Sequence, residues 1–182
     1  MHFHQAILTV NGKTHLLQPD KSNSFETLYV DFRQEEVNGG RQWSVFLHPK
    51  EDIILEGLEV QFDVPLPATS RFFANGYQSW SESRLYNTGE AIPQLRSLAR
   101  KYALYTGDEH IKGIPRGRGK LHSWTYTYFK KPASTILAGS LSERTGFTLF
   151  LYDQATGILT VRKDLDRLSL SHSFPALDFW IG

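Results

Sequence analysis

From Leu58 to Val64 the chain alternates without a slip. Leu58, Val60, Phe62 and Val64 fall on one face, and Glu59, Gln61 and Asp63 on the other. A period of two is the mark of a strand with one face buried and the other wet, whereas a helix would spread these side chains around its axis. Similar strand-like stretches, some with slips, cover residues 5–10, 13–18, 24–33, 41–48, 69–74, 121–129, 135–141, 147–152, 158–163 and 167–173. Asn11-Gly12, Asn38-Gly39-Gly40, Thr145-Gly146 and Thr156-Gly157 stand between them as turn signals. Many short strands separated by turns predict an all-β chain, a large antiparallel β-sandwich. One segment departs from the pattern. Pro93 suits a first helical position, and Leu95, Leu98, Ala99 and Tyr102 share a helical face, so a short helix is expected near residues 93–102.

The bulk properties agree with this and exclude several functions. A chain of 182 residues suits one large domain, here taken as residues 1–182. Aromatic residues reach 13% beside a single methionine, a bias that favours rings packed on a pleated surface. The net charge of +1 lacks the basic excess of a nucleic-acid binder. With no cysteine, disulfides and cysteine-based zinc sites are excluded. Met1 leads into His-Phe-His-Gln rather than a signal peptide, and no apolar run would span a bilayer. The expectation is a soluble, cytoplasmic protein with no nucleic-acid and no membrane partner. The last residues, 176–182, are apolar and strand-like, which suggests a domain edge with further chain beyond.

Familiar catalytic motifs fail on inspection. The glycine-rich stretch 112–120 lacks the second glycine of a P-loop, because Arg118 stands in its place, and His122 stands where a dinucleotide fingerprint needs its third glycine. Arg116 and Arg118 then read as a solvated basic loop, with contact to an anion or a sugar hydroxyl as the functional alternative. His2 and His4, and the run Asp108-Glu109-His110, have no recognised metal spacing, so neither metal nor cofactor is expected. There is no Gly-x-Ser-x-Gly elbow, and nothing pairs Ser79 with His122. No residue is assigned a catalytic role.

The stretch 73–84 is different. Asn75-Gly76 reads as a hairpin turn, and beyond it Tyr77, Gln78, Ser79, Trp80, Glu82 and Arg84 crowd into what looks like loop. Sugar sites need this mixture, a ring to stack on the apolar face of a pyranose and amides, carboxylates or guanidinium groups to bond its hydroxyls.

These residues resemble a family. Residues 75–81, Asn-Gly-Tyr-Gln-Ser-Trp-Ser, are similar to the Asn-x-(Trp/Tyr)-Gln-Ser-Trp signature in the N-terminal domain of melibiase-type α-galactosidases. Residues 121–126 resemble the family's His/Gln-Ser segment at the start of a long strand, and residues 139–144 its Gly-x-x-Ser turn. The resemblance implies a β-sandwich of the galactose-mutarotase-like supersandwich type, followed by a catalytic (β/α)8 barrel outside this sequence. It implies that Trp80 projects into the barrel's galactose site, that Tyr77, Gln78 and Ser79 shape the loop, and that Arg84 anchors it. The implied activity is retaining hydrolysis of terminal α-galactosides, with both catalytic carboxylates on the barrel. The implied partners are that barrel, an α-galactoside at the domain interface, and further copies in a homo-oligomer. A free-standing carbohydrate-binding sandwich would use the same aromatics without a barrel.

Overall fold

In the computed structural model, which describes residues 1–67, 69–76, 82–93, 113–144 and 146–182, the alternation becomes burial. Leu58, Val60, Phe62 and Val64 are buried, and the residues between them are only half-buried. The strands in chain order are β1 (His2–Val10), β2 (Lys13–Leu17), β3 (Asn23–Ser24), β4 (Leu28–Val37), β5 (Gly40–Pro49), β6 (Ile53–Asp63), β7 (Arg71–Ala74), β8 (Arg84–Asn87), β9 (Lys120–Trp124), β10 (Tyr126–Lys130), β11 (Thr135–Ser140), β12 (Thr148–Asp153), β13 (Ile158–Lys163), β14 (Leu168–Leu170) and β15 (Phe174–Ile181). There is no helix among the described residues. The helix expected near 93–102 falls, except for Pro93, outside them.

Among the described residues the strands form two antiparallel sheets. The first runs β2-β1-β6-β13-β12-β9, with β14 also paired to β6. The second runs β3-β4-β5-β15-β11-β10-β7-β8. Each sheet turns its apolar face inward, giving the β-sandwich that the alternation predicts. Trp43 sits at the centre of one core region. Phe3 stacks on it at 5.6 Å and Phe179 at 6.4 Å, and Phe62 meets it edge-on at 5.1 Å. Phe72, Phe129 and Tyr152 form a second ring cluster, with centroids 5.1 to 6.3 Å apart.

Turn chemistry explains the first hairpins. Asn11 and Gly12 take φ of 50° and 73°, and Asn38 and Gly39 take 51° and 75°. Two successive left-handed residues match the strand twist and join β1 to β2 and β4 to β5. In β6 the buried positions run Ile53, Leu55 and then Leu58, Val60, Phe62. The change of phase is a bulge, where consecutive residues of β1, Thr9 and Val10, pair with Gly57 and Leu55.

Two expectations need correction. The stretch 121–129 is two strands rather than one. It breaks at Thr125, so that Trp124 pairs with Leu149 in the first sheet and Tyr126 with Gly139 in the second. Gly139 and Ser140 belong to β11, so the turn read there begins only after them. The apolar run 176–182 is a strand as expected, lying mostly in β15, which is paired on one side with β5 and on the other with β11. Leu177, Phe179 and Ile181 are part of the sandwich core.

Candidate functional site

Asn75 follows the last residue of β7, and the two-residue hairpin expected at Asn75-Gly76 is not there. Ala74 pairs with Arg84, so nine residues, 75–83, connect β7 to β8. A tight turn is excluded by register, and Asn75 does something else. It donates its N–H to Ser123 Oγ at 2.7 Å and its side-chain amide to the Trp124 carbonyl at 2.9 Å. Its own carbonyl accepts the Trp124 N–H at 3.0 Å. The chain where it leaves β7 for the loop is thus fastened to β9, a strand of the opposite sheet.

The loop's base is closed as well. Gly76 donates its N–H to Ser83 Oγ at 3.0 Å, and that hydroxyl donates to Asn75 Oδ1 at 3.3 Å. Asn75 therefore uses both ends of its amide, one toward β9 and the other toward the returning chain. Short side chains that bond local backbone are suited to this work.

Beneath Asn75 lies a corner of hydroxyl-bearing residues. Ser123 Oγ donates to the Tyr126 carbonyl at 2.5 Å, and Thr127 Oγ1 to the Phe73 carbonyl at 2.7 Å. Thr125, between β9 and β10, takes φ of 65°. A β-branched residue in the left-handed region is a strained one. Its N–H bonds the Thr148 carbonyl at 2.9 Å, and its carbonyl accepts the Ser140 N–H at 2.8 Å. Ser140 and Thr148 hydroxyls meet at 2.9 Å, and Glu143 accepts the Thr148 N–H at 2.9 Å.

Arg84, expected in loop, instead opens β8, the last strand of the second sheet among the described residues. Its guanidinium lies 4.4 Å from the Tyr86 ring centre and faces Glu82 at 3.6 Å and Glu90 at 4.0 Å. Glu90 is held below the usual carboxylate range chiefly by hydrogen bonds from Asn87, with Arg84 and Arg118 adding smaller attraction. Arg84 is thus engaged within the chain where the loop returns. Tyr77, Gln78, Ser79 and Trp80 lie outside the described residues. Among the described residues there is no cluster of three metal ligands, and no helix is long and apolar enough to cross a membrane.

Four large apolar side chains on the strands and connection of the corner are exposed. Tyr126, Leu137, Leu141 and Phe147 are 40%, 43%, 53% and 40% exposed. They sit on β10, β11 and the β11–β12 connection.

Sequence reasoning found Asn75 but gave it the wrong job. It missed Ser83, Thr125 and Thr148, whose residue types are too common to signal anything alone. Lys163 carried a signal that passed unnoticed. It stands in phase with the buried Leu159 and Val161, where an apolar residue belongs.

No protein-family model matches the chain, and no curated protein matches it. A solved structure of a candidate aldose 1-epimerase from Escherichia coli K12 is similar to it over 96% of this chain and 77% of that one, at 10% identity and a TM-score of 0.32, too remote a likeness to bear on site or activity.

Proposed function

We propose that this chain is the N-terminal domain of a melibiase-type α-galactosidase, and that residues 75–83 carry Trp80 to the rim of a sugar site built mainly by a following catalytic barrel. The observation that supports this is convergence. The three stretches that resemble the family, 75–81, 121–126 and 139–144, are far apart in sequence. Their described residues meet at one corner, through Asn75 with Ser123 and Trp124, and through Thr125 and Tyr126 with Ser140 and Gly139. A loop that must hold an aromatic ring against a sugar needs a rigid stem, because a positioning group is useful only when its own freedom is already spent.

In this reading the domain does no bond-breaking. The barrel supplies two carboxylates about 5–5.5 Å apart, one as nucleophile and one as acid/base. Trp80 walls the galactose pocket, Tyr77, Gln78 and Ser79 shape the loop, and Arg84 holds its return. The exposed apolar group around Tyr126 and Leu141 suits contact with the barrel or a second subunit. The enzyme would act in the cytoplasm.

The test is hydrolysis of nitrophenyl α-galactoside by this chain alone and by the polypeptide that includes whatever follows Gly182 in its reading frame. Turnover by the longer polypeptide alone is the expected result. Turnover by this chain alone, or by neither, would contradict the proposal.

A further inference from the structure

Lys163 is 2% exposed, at the end of β13, with its side chain directed into the sandwich. Burial pushes its ammonium below the usual lysine value, and the Glu143 carboxylate works in the opposite direction. Lysine is almost never buried this deeply unless paired. Its Nζ donates to the Ser142 carbonyl at 2.9 Å. Ser140 Oγ donates to the same carbonyl at 3.2 Å and meets the Thr148 hydroxyl at 2.9 Å. Thr148 pairs with Lys163 across the strands and gives its N–H to Glu143. The Thr148 carbonyl takes the Thr125 N–H, and the Thr125 carbonyl takes the Ser140 N–H. One residue before Thr125 is Trp124, on which Asn75 is fastened.

We infer that Lys163 is a positioning residue for the loop base: by holding the Ser142 carbonyl it fixes the β11–β12 connection, which clamps the strained Thr125 and so sets where Trp124 holds Asn75. An apolar side chain of similar length would fill the same space and leave the Ser142 carbonyl without that donor. The strain at Thr125 would then be opposed by fewer bonds. The consequence for a sugar site rests on the function proposed above, whereas the placement of Asn75 does not.

The test is amide hydrogen exchange on this chain, with Lys163→Met against the parent. The amides of Asn75, Gly76 and Trp124 are expected to exchange at least about tenfold faster, while Val30 and Leu47, paired across β4 and β5 of the second sheet, keep their rates. Lys163→Arg, which retains a buried donor, should restore protection at Asn75 and Trp124 at least in part. Acceleration confined to residues 141–148 would show a local role and overturn the inference. So would acceleration of all amides in parallel, or no protection regained in Lys163→Arg. If Lys163→Met does not fold, Thr148→Val removes the next hydroxyl in the chain of bonds and should accelerate the same three amides; unchanged rates there would also overturn it. None of these outcomes depends on galactoside hydrolysis, so failure here is distinct from failure of the functional reading.

Discussion

Asn75 and Trp124 grip each other in both directions, the Asn75 side-chain amide giving to the Trp124 carbonyl at 2.9 Å and the Trp124 N–H giving to the Asn75 carbonyl at 3.0 Å. The pair joins the end of β7 in one sheet to the end of β9 in the other. It converts an open sandwich corner into a fixed stem for residues 75–83.

Asn75→Ala should therefore cost more than an exposed loop substitution. It removes the donor to the Trp124 carbonyl and the acceptor for Ser83, and an unsatisfied buried group costs about 1–3 kcal/mol. Asn75→Asp should cost more still at neutral pH, since a carboxylate would face that carbonyl. Urea unfolding measures both, and an Asn75→Ala midpoint equal to the parent's would contradict the role of the stem.

Thr125→Gly should raise stability or leave it unchanged, against the usual direction for glycine. A left-handed conformation costs a residue with a Cβ about 1–2 kcal/mol, and glycine is free of that penalty but loses more entropy on folding. A gain of about 1 kcal/mol corresponds to a rise in Tm of about 2–4 °C for a chain of this size. A clear fall in Tm would mean that Thr125 is held by more than its two backbone bonds.

Tyr152 sets an alkaline limit. Burial pushes its phenol up to about 12, with Asp153 adding a smaller repulsion, and its hydroxyl donates to the Val64 carbonyl at 3.2 Å. The unfolded chain loses this proton near the ordinary value of about 10, while the folded chain keeps it to about 12. The folded state thus holds more protons in that window, and stability falls as pH rises through it. Lys163 acts with the opposite sign, since its depressed value adds stability as pH approaches the ordinary 10.5. Comparing the parent with Tyr152→Phe separates the two. The difference in unfolding free energy should be constant below about pH 10 and should shift in favour of the variant from there to about pH 12. A difference that does not change with pH would refute the assignment.

Two glycines should respond differently to alanine. A Cβ at Gly40 would lie 2.3 Å from Trp180 Cζ2 and 2.6 Å from the Ile181 carbonyl oxygen, which is backbone and cannot swing away. Overpacking of this kind costs about 1–3 kcal/mol or more. At Gly12 nothing lies within 4 Å, so Gly12→Ala should pay only for its φ of 73°, about 1–2 kcal/mol, without the added clash. Equal losses in thermal unfolding would contradict the packing at Gly40.

Much of the sandwich was legible because period-two alternation is a direct image of a half-buried strand, as Leu58 to Val64 show. Asn11-Gly12 and Asn38-Gly39 were legible because few residues tolerate successive left-handed conformations. The corner was not legible as geometry. Thr125 breaks a strand through strain that its neighbours impose, and threonine itself favours strands, so local propensity pointed the wrong way. Asn75-Gly76 carried a strong turn signal, yet the register of Ala74 with Arg84 and the hold of Trp124 override it. Arg84 was placed in loop because charge and polarity surround it, although its strand, β8, is the edge of the second sheet among the described residues, and polar residues are common at sheet edges. The family resemblance marked the three stretches that meet here, and tertiary contacts alone gave the reason.

The most direct measurement is the steady-state kinetics of nitrophenyl α-galactoside hydrolysis by the full-length polypeptide with Trp80→Ala, alongside its Tm. The account predicts that kcat/KM falls by at least about tenfold, a loss of about 1.4 kcal/mol in transition-state stabilisation, with Tm unchanged. Unchanged kinetics in a folded variant would contradict the claim that this domain lends Trp80 to the sugar site.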